Sequence, residues 1–330
     1  MIHAYASPEK GAKLVPFDYE PKPLGPHDIR VKITHCGICH SDIHLIDDDW
    51  LLSKYPLVPG HEIVGIVVEK GDQSTHEIGD RVGIGWQGKS CFHCEWCRQG
   101  DENLCLEQEA TCVEHNGGFA DAIVADGRFA FLIPEALPSS FAAPLLCGGA
   151  TVFSPFIEHN LNARMRVAVI GIGGLGHLAL QFAKAHNCDL TAISSSSDKE
   201  VEAANFGANH FVKLSDLKNH PCEYDFIFST SSRGIDWKIA VSCLRPRGKL
   251  CLLGVPTDPF ELPVGMLVDG RKIVCGSNIG SRPVIEKMLT FAAQHNVRPQ
   301  IEEYPMNEIN KAIDRVRSGK MRYRAVLLNG

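Results

Sequence analysis

Three side chains far apart in this sequence have the types that bind a reactive metal. Cys39 lies in C-G-I-C-H-S-D-I-H (Cys36 to His44) and His61 in P-G-H-E (Pro59 to Glu62). A thiolate and an imidazole suit Zn²⁺, and a catalytic zinc keeps three protein ligands plus an open position. Cys147, in P-L-L-C-G-G-A-T-V-F (Pro144 to Phe153), reads either as a buried small apolar residue or as the third ligand. A denser group follows C-x2-C-x2-C-x7-C at Cys91, Cys94, Cys97 and Cys105. Four thiolates on one short lobe close a tetrahedral site, the usual form of structural zinc. An iron–sulfur cluster is the competing reading. Zinc is favoured, because the β-rich surroundings and the second candidate zinc site point the same way. His93, inside the lobe, reads as a surface residue.

A second chemistry begins at Arg166. The apolar strand R-V-A-V-I runs straight into Gly171-Ile-Gly-Gly-Leu-Gly176, and Leu178, Ala179, Phe182 and Ala183 then keep helical spacing. Strand, G-x-G-x-x-G and helix in that order form a dinucleotide-binding fingerprint. Gly171 makes the tight turn, Gly173 lets the backbone approach a pyrophosphate, and Gly176 lets helix and strand pack closely. The helix N-terminus offers N–H groups and partial positive charge to phosphates. The next strand, Leu190 to Ser194, ends in Ser194-Ser-Ser-Ser-Asp-Lys199 instead of the acidic residue that bonds an NAD ribose. Hydroxyls and a cation suit a 2′-phosphate, so NADP(H) is expected. Asp198 is the residue that argues the other way.

The elements that must position these groups fall into two regions. As far as about residue 147 the chain reads as short strands between Gly and Pro. Ile29 to Thr34 alternates apolar and polar residues, and Ile63 to Val68 is an apolar run broken by Gly65, which marks a bulge or close backbone contact. A β-rich, partly open barrel is expected. Beyond Arg166, strands at Asp225 to Ser229, Lys249 to Gly254 and Lys272 to Ser277 alternate with helical patterns, which predicts a doubly wound parallel sheet. Helices over about 281–295 and 306–318 precede a last strand, Arg322 to Leu328, that returns to the first region. The α/β fold class is therefore a β-rich domain, 1–147 and 282–330, plus a Rossmann dinucleotide-binding domain, 148–281.

The bulk numbers bound the rest. The 330 residues leave room for two domains, and the net charge of −6 argues against a nucleic-acid surface. No segment reads as membrane-spanning by its run of apolar residues. The N-terminal stretch lacks the layout of a secretory signal, so a cytoplasmic protein is expected. Thirteen cysteines, an odd number, then suggest metal ligands and free thiols, not a disulfide framework. Cys36, Cys112, Cys188, Cys222, Cys243, Cys251 and Cys275 receive no role.

Taken together, G-I-C-H-S-D-I-H, P-G-H-E, the four-cysteine lobe, L-L-C-G-G-A-T-V, G-I-G-G-L-G-H and the final M-R-Y-R resemble the zinc-dependent medium-chain alcohol dehydrogenases, most closely the cinnamyl-alcohol-dehydrogenase-like branch. The resemblance spans nearly the whole chain. It implies a GroES-like catalytic domain beside the Rossmann domain, with two Zn²⁺ per chain. Cys39, His61 and Cys147 would hold the catalytic zinc, with Glu62 beside it and Asp42 bonded to the zinc-bound histidine. Ser41 would contact the substrate oxygen and His44 would end a proton relay. His40, Thr151, Gly173, Gly174, Leu175, Ser195, Ser196 and Lys199 would contact the cofactor, followed by the Ser229-Thr230 turn, Val255 and Ser277 to Ile279. Trp50 and Trp86 would line the substrate site.

The implied reaction moves a hydride between NADP(H) and a primary alcohol or aldehyde, aromatic substrates among the candidates, in a homodimer. Two features depart from the branch. Lys199 is followed by Glu200 where a second basic residue is usual, and the chain is shorter than typical members. An NAD-dependent alcohol or polyol dehydrogenase, a zinc-free quinone or enone reductase and a zinc-stabilised binding protein are the alternatives. The intact ligand set argues against the last two.

Overall fold

The computed structural model describes residues 1–113, 115–231, 234–254 and 259–329. The chain divides into two compact units. One comprises Met1–Ala150, Gly280–Gln294 and Pro299–Gly330, and the other Thr151–Ile279 and His295–Arg298.

The first unit is built on the strand Asp28–Ile38. Its Ile29, Val31 and Ile33 alternate into the core, and Cys36 to Ile38 are then buried without a break. Glu62–Lys70 pairs antiparallel along its length, while Ala122–Asp126 pairs with its first half and Arg324–Leu328 with its second. Arg81–Ile84 and Ala130–Leu132 extend the sheet on one side, and Ile301–Pro305 ends it on the other. The ladder slips between Ile33 and His35, opposite Gly65. A Cβ on Gly65 would strike the Lys32 carbonyl, so the expected close approach of backbones is present. Ile29, Val31, Ile33, Ile63, Val67, Val82, Ile84, Ile123 and Leu327 share one core. Each such side chain, fully buried, contributes about 1.5–3 kcal/mol.

The second unit holds a six-stranded, all-parallel sheet. Its spatial order is His210–Lys213, Asp189–Ser194, Arg166–Ile170, Tyr224–Ser229, Leu244–Leu252, Ile273–Gly276. The chain enters in the middle, winds outward to one edge and then returns to build the other. The strand order reverses between Arg166–Ile170 and Tyr224–Ser229, a topological switch point of the kind where open α/β sheets bind ligands. Val167 to Ile170 are all buried, as expected for a strand covered on both faces.

One helical run differs from the sequence expectation. Ser139–Glu158 is long and apolar enough to cross a membrane by length and composition, although no segment was expected to be. It is 83% buried within the protein, so protein packing accounts for its apolar surface. The run is not uniform. Ser139–Pro144 is α-helical, Leu145–Gly149 is a π-helical turn and Ala150–Glu158 is α-helical again. Pro144, which has no N–H to donate, directly precedes the widened turn.

Candidate metal and dinucleotide sites

The first site forms where the Asp28–Ile38 strand ends. Cys39 is the N-terminal flanking residue of the helix His40–Ile46, so its side chain leaves the sheet at a fixed point. Asp42, three residues on and fully buried, ties the neighbourhood together. Its carboxylate accepts from the Cys39 N–H at 2.8 Å, the Gly60 N–H at 2.9 Å and His61 Nδ1 at 2.9 Å. A carboxylate accepts and never donates when ionised, so His61 carries its proton on Nδ1 and turns Nε2 away as a lone pair.

Cys39, His61, Glu62 and Cys147 present ligand atoms that all lie within 4.8 Å of one another, and all four residues are buried. Cys147 reaches the group from the π-helical turn, with its Sγ 3.9 Å from that of Cys39. His61 Nε2 and Glu62 Oε2 are buried and hydrogen-bond to nothing in the protein. Two thiols, an imidazole lone pair and a carboxylate oxygen converging on one point fit Zn²⁺. Such orphaned atoms are costly unless a cation satisfies them.

The four buried donors shift one another's protonation. The Cys39 thiol is held well below its ordinary pKa, first by the hydrogen bond from Cys147 and then by His61 and Arg324, against the cost of burial. Burial pushes Glu62 up to about 7, with Arg324 pulling down and Cys39 pushing up. Burial disfavours charge on His61, but Asp42 and Cys147 outweigh it and raise its pKa.

Arg324, from the strand Arg324–Leu328, is buried and pairs with Glu62 Oε1. Gly37 makes room for this carboxylate, because a Cβ there would overlap Glu62 Oε2. Neither Arg324 nor Gly37 was singled out as a site residue, although Arg324 closes the M-R-Y-R motif. Cys112, given no role from sequence, lies with Asp42 and His61 in a second buried set whose ligand atoms are within 4.8 Å of one another.

Around the ligands sit the groups expected to meet a substrate. Ser41 Oγ is 3.7 Å from Cys39 Sγ. His44 lies on the same short helix, its Nδ1 2.7 Å from Asp49 Oδ2 at the surface. The Trp50 ring packs on His44 with centroids 5.1 Å apart and meets Trp86 edge-on at 6.1 Å. Trp86 in turn stands edge-on to His61 at 5.0 Å. The two tryptophans thus form an aromatic wall from the half-buried His44 to the buried ligands.

The four-cysteine lobe also converges. Cys91, Cys94, Cys97 and Cys105 hold their sulfurs within 4.8 Å of one another. Cys94 flanks the short helix Glu95–Gln99 and donates its N–H to Cys91 Sγ at 3.3 Å, while Gly100, at φ +86°, reverses the chain. Cys91 is brought down to about 6, first by the His93 N–H and then by that of Cys94. His93 is exposed, with Nδ1 on the Cys91 carbonyl at 2.8 Å. Arg282 Nε holds Glu102, between the third and fourth cysteines, at 2.9 Å.

In the second unit the glycine turn sits at the switch point. Gly171 has φ +92°, which favours glycine, and a Cβ on Gly176 would collide with the Gly171 carbonyl oxygen. Gly173 has open space where a Cβ would stand, a cradle that fits a pyrophosphate against bare backbone. Gly174 and Leu175 lead into the helix Gly176–Ala185. Thr230 Oγ1 donates to the Gly171 carbonyl at 2.7 Å and fixes the turn from the neighbouring strand.

Ser194 is buried at the end of its strand, while Ser195 and Ser196 are exposed. Lys199 Nζ reaches back to the Ile172 carbonyl at 2.6 Å, inside the glycine turn. The Asp198 carboxylate is engaged by the Ser196 hydroxyl. Thr151 is buried on the helix Ala150–Glu158, and His40 is exposed at the start of its helix. The Ser277 hydroxyl oxygen is buried without a hydrogen-bond partner, and Ile279 is buried at φ +44°. Val255 lies outside the described residues.

With this geometry in view, similarity to known proteins is informative. Residues 25–135 match the family model of the alcohol dehydrogenase GroES-like domain, and residues 174–294 that of zinc-binding dehydrogenases. The chain is 42% identical to an aldehyde reductase of Synechocystis sp. over 331 residues, 99% of this chain and 98% of the relative. A cinnamyl alcohol dehydrogenase from Sorghum bicolor superposes with a TM-score of 0.95 at 37% identity, covering 99% of this chain and 97% of that one. CAD from Helicobacter pylori, complexed with NADP(H), superposes at 0.92 and 32% identity, covering 99% and 97%. A metal-binding β-rich unit joined to a dinucleotide-binding unit is the architecture of this class. The chain belongs to the zinc-dependent medium-chain alcohol dehydrogenases, in the cinnamyl-alcohol-dehydrogenase-like branch.

Proposed function

We propose that this protein is a zinc-dependent alcohol dehydrogenase that works as an aldehyde reductase, moving a hydride between NADP(H) and a primary alcohol or its aldehyde. The observation that carries the reading is the convergence of four buried donors, Cys39, His61, Glu62 and Cys147, on one point. Cys39, His61 and Cys147 hold the catalytic zinc, with Glu62 beside them, and the four cysteines of the lobe hold a structural one. When bound, the catalytic zinc supplies Lewis acidity to the substrate oxygen.

The chain's own residues do the rest. Asp42 fixes the His61 tautomer and aims its lone pair. Ser41 meets the substrate oxygen with its hydroxyl, and His44 returns the proton to solvent, a task suited to an imidazole. Trp50 and Trp86 present flat apolar surface, which favours planar or aromatic substrates over polyols. The nicotinamide carries the hydride, while the protein supplies binding and alignment.

Gly171 to Gly176 receive the pyrophosphate, with Thr151 and Thr230 as further contacts. Ser194, Ser195, Ser196 and Lys199 receive the adenosine ribose. The preference for NADP(H) rests on Lys199 and the serine hydroxyls. Asp198 is held by Ser196, and so competes less for the ribose than its position in the sequence suggests. Ser277 and Ile279, and Val255 from the family resemblance, complete the cofactor contacts.

The assembly is a cytoplasmic homodimer. A panel of aldehydes and alcohols assayed with NADPH and with NADH tests the proposal. Faster turnover of aromatic aldehydes with NADPH is the expected result. Equal use of both cofactors would remove the reading of Ser194 to Lys199, and no turnover of any aldehyde or alcohol would remove the function.

A further inference from the structure

Away from both zinc sites, the parallel sheet of the second unit sets two cysteines side by side. Strand Leu244–Leu252 pairs with strand Ile273–Gly276 so that Cys251 faces Cys275 in register. Residues paired in this way project to the same face of a sheet. That face also meets His159, which follows the helix Ala150–Glu158. The His159 Nε2 is 3.5 Å from Cys275 Sγ, and its Nδ1 is 3.3 Å from Lys249 Nζ. Ligand atoms of His159, Cys251 and Cys275 all lie within 4.8 Å of one another. Cys251 is fully buried, whereas Cys275 and His159 are half-buried.

By distance alone this trio could hold a soft metal ion, but its proton arrangement argues otherwise. An ammonium group has only N–H donors, so the ring nitrogen facing Lys249 must accept. A neutral ring then carries its proton on Nε2, the nitrogen facing sulfur, where a metal would need a lone pair. The Nε2–H donates to Cys275 Sγ instead. The Cys251 sulfur lies within 4.8 Å of the same sulfur, and Cys275 Sγ is 3.7 Å from the Leu250 carbonyl oxygen. One donor, backed by a cation, therefore points at Cys275, with a second thiol alongside.

We infer that Cys275 is a reactive thiolate and that Cys275 and Cys251 together form a site of reversible oxidation by hydroperoxides. The titration behaviour agrees. Cys275 is lowered from the ordinary thiol range, first by the neighbouring Cys251 thiol and also by Lys249, against burial and the Glu158 charge. The Cys275 neighbour and burial push Cys251 up. His159 is lowered by burial and then by Lys249, which keeps the ring neutral.

The thiolate sulfur attacks one peroxide oxygen, and the O–O bond breaks. The departing hydroxide or alkoxide takes a proton from water, and the sulfur, oxidised by two electrons, becomes a sulfenic acid. The Cys251 sulfur then attacks that sulfur and the S–O bond breaks. The Cys251 proton leaves with the hydroxide as water. Two thiols and one hydroperoxide thus give a disulfide, one water and one alcohol or second water. Adjacent strands lie about 4.7–4.9 Å apart, inside the Cα range that a disulfide spans.

Time-resolved alkylation of the zinc-loaded, full-length protein with iodoacetamide at neutral pH, read by peptide mass spectrometry, tests the inference. The exposed Cys222 serves as the internal standard. Cys275 is expected to react about tenfold faster than Cys222 or more, and His159→Gln to remove most of that advantage. Hydrogen peroxide should link the peptides of Cys251 and Cys275, a link that dithiothreitol reverses. In Cys251→Ser it should instead leave a dimedone-trapped sulfenic acid on Cys275. Alkylation of Cys275 no faster than Cys222, or peroxide treatment without the cross-link, would overturn the inference. So would a third zinc per chain that is lost in Cys275→Ser.

Discussion

Asp42 offers the sharpest test of how the candidate metal site is held. Its fully buried carboxylate accepts three hydrogen bonds, two on Oδ1 from Gly60 and His61 and one on Oδ2 from Cys39. Asp42→Asn keeps the size but replaces one acceptor oxygen with an NH₂ group. The least damaging placement keeps the oxygen toward Gly60 and His61 and turns the NH₂ toward the Cys39 N–H, donor against donor. A buried donor left unsatisfied costs about 1–3 kcal/mol, more where the lost partner was charged. The His61 imidazole also loses the negative charge that raises its basicity. Replacing such partners typically costs about 10–100-fold in metal affinity or activity.

The assay is a chelator challenge with a chromogenic zinc indicator, run beside urea denaturation. One zinc per chain should leave Asp42→Asn far more readily than the parent, stability should fall by about 1–3 kcal/mol, and the four-cysteine lobe should keep its own ion. Unchanged zinc release together with unchanged stability would refute the view that Asp42 organises the ligands.

Other outcomes follow from the same geometry. Gly176→Ala places a Cβ against the Gly171 carbonyl, and should cost about 1–3 kcal/mol and weaken dinucleotide binding in fluorescence titration. Lys199→Ala removes the cation at the serine turn and should shift the NADPH-to-NADH ratio of kcat/KM about tenfold or more toward NADH. Cys97→Ser should release zinc from the lobe and lower the melting temperature, while the ligands at Cys39, His61 and Cys147 still bind their ion in elemental analysis.

Much of the site was legible because its parts are local. The C-x2-C-x2-C-x7-C lobe and the strand-to-glycine turn each lie within a short stretch, and their spacing points to a metal and to a dinucleotide. The Gly65 contact and the parallel sheet were also readable, from period and composition. What escaped depends on tertiary register. Arg324 meets Glu62 only after the last strand pairs with Asp28–Ile38, and Gly37 matters only because Glu62 occupies the space beside it. The π-helical turn that delivers Cys147 has no composition signal beyond Pro144 and two glycines. The apolar run Ser139–Glu158 is punctuated by prolines, which hid its continuity. Cys251 and Cys275 looked idle because strand pairing, not sequence distance, makes them neighbours.

The central claim is that Cys39, His61 and Cys147 share one cation. Counting zinc in the parent and in Cys147→Ser by elemental analysis tests it most directly. About two zinc per chain in the parent, and about one in an inactive but folded variant, is the result this account predicts. A variant that keeps its full complement of zinc and still turns over aldehyde would contradict it.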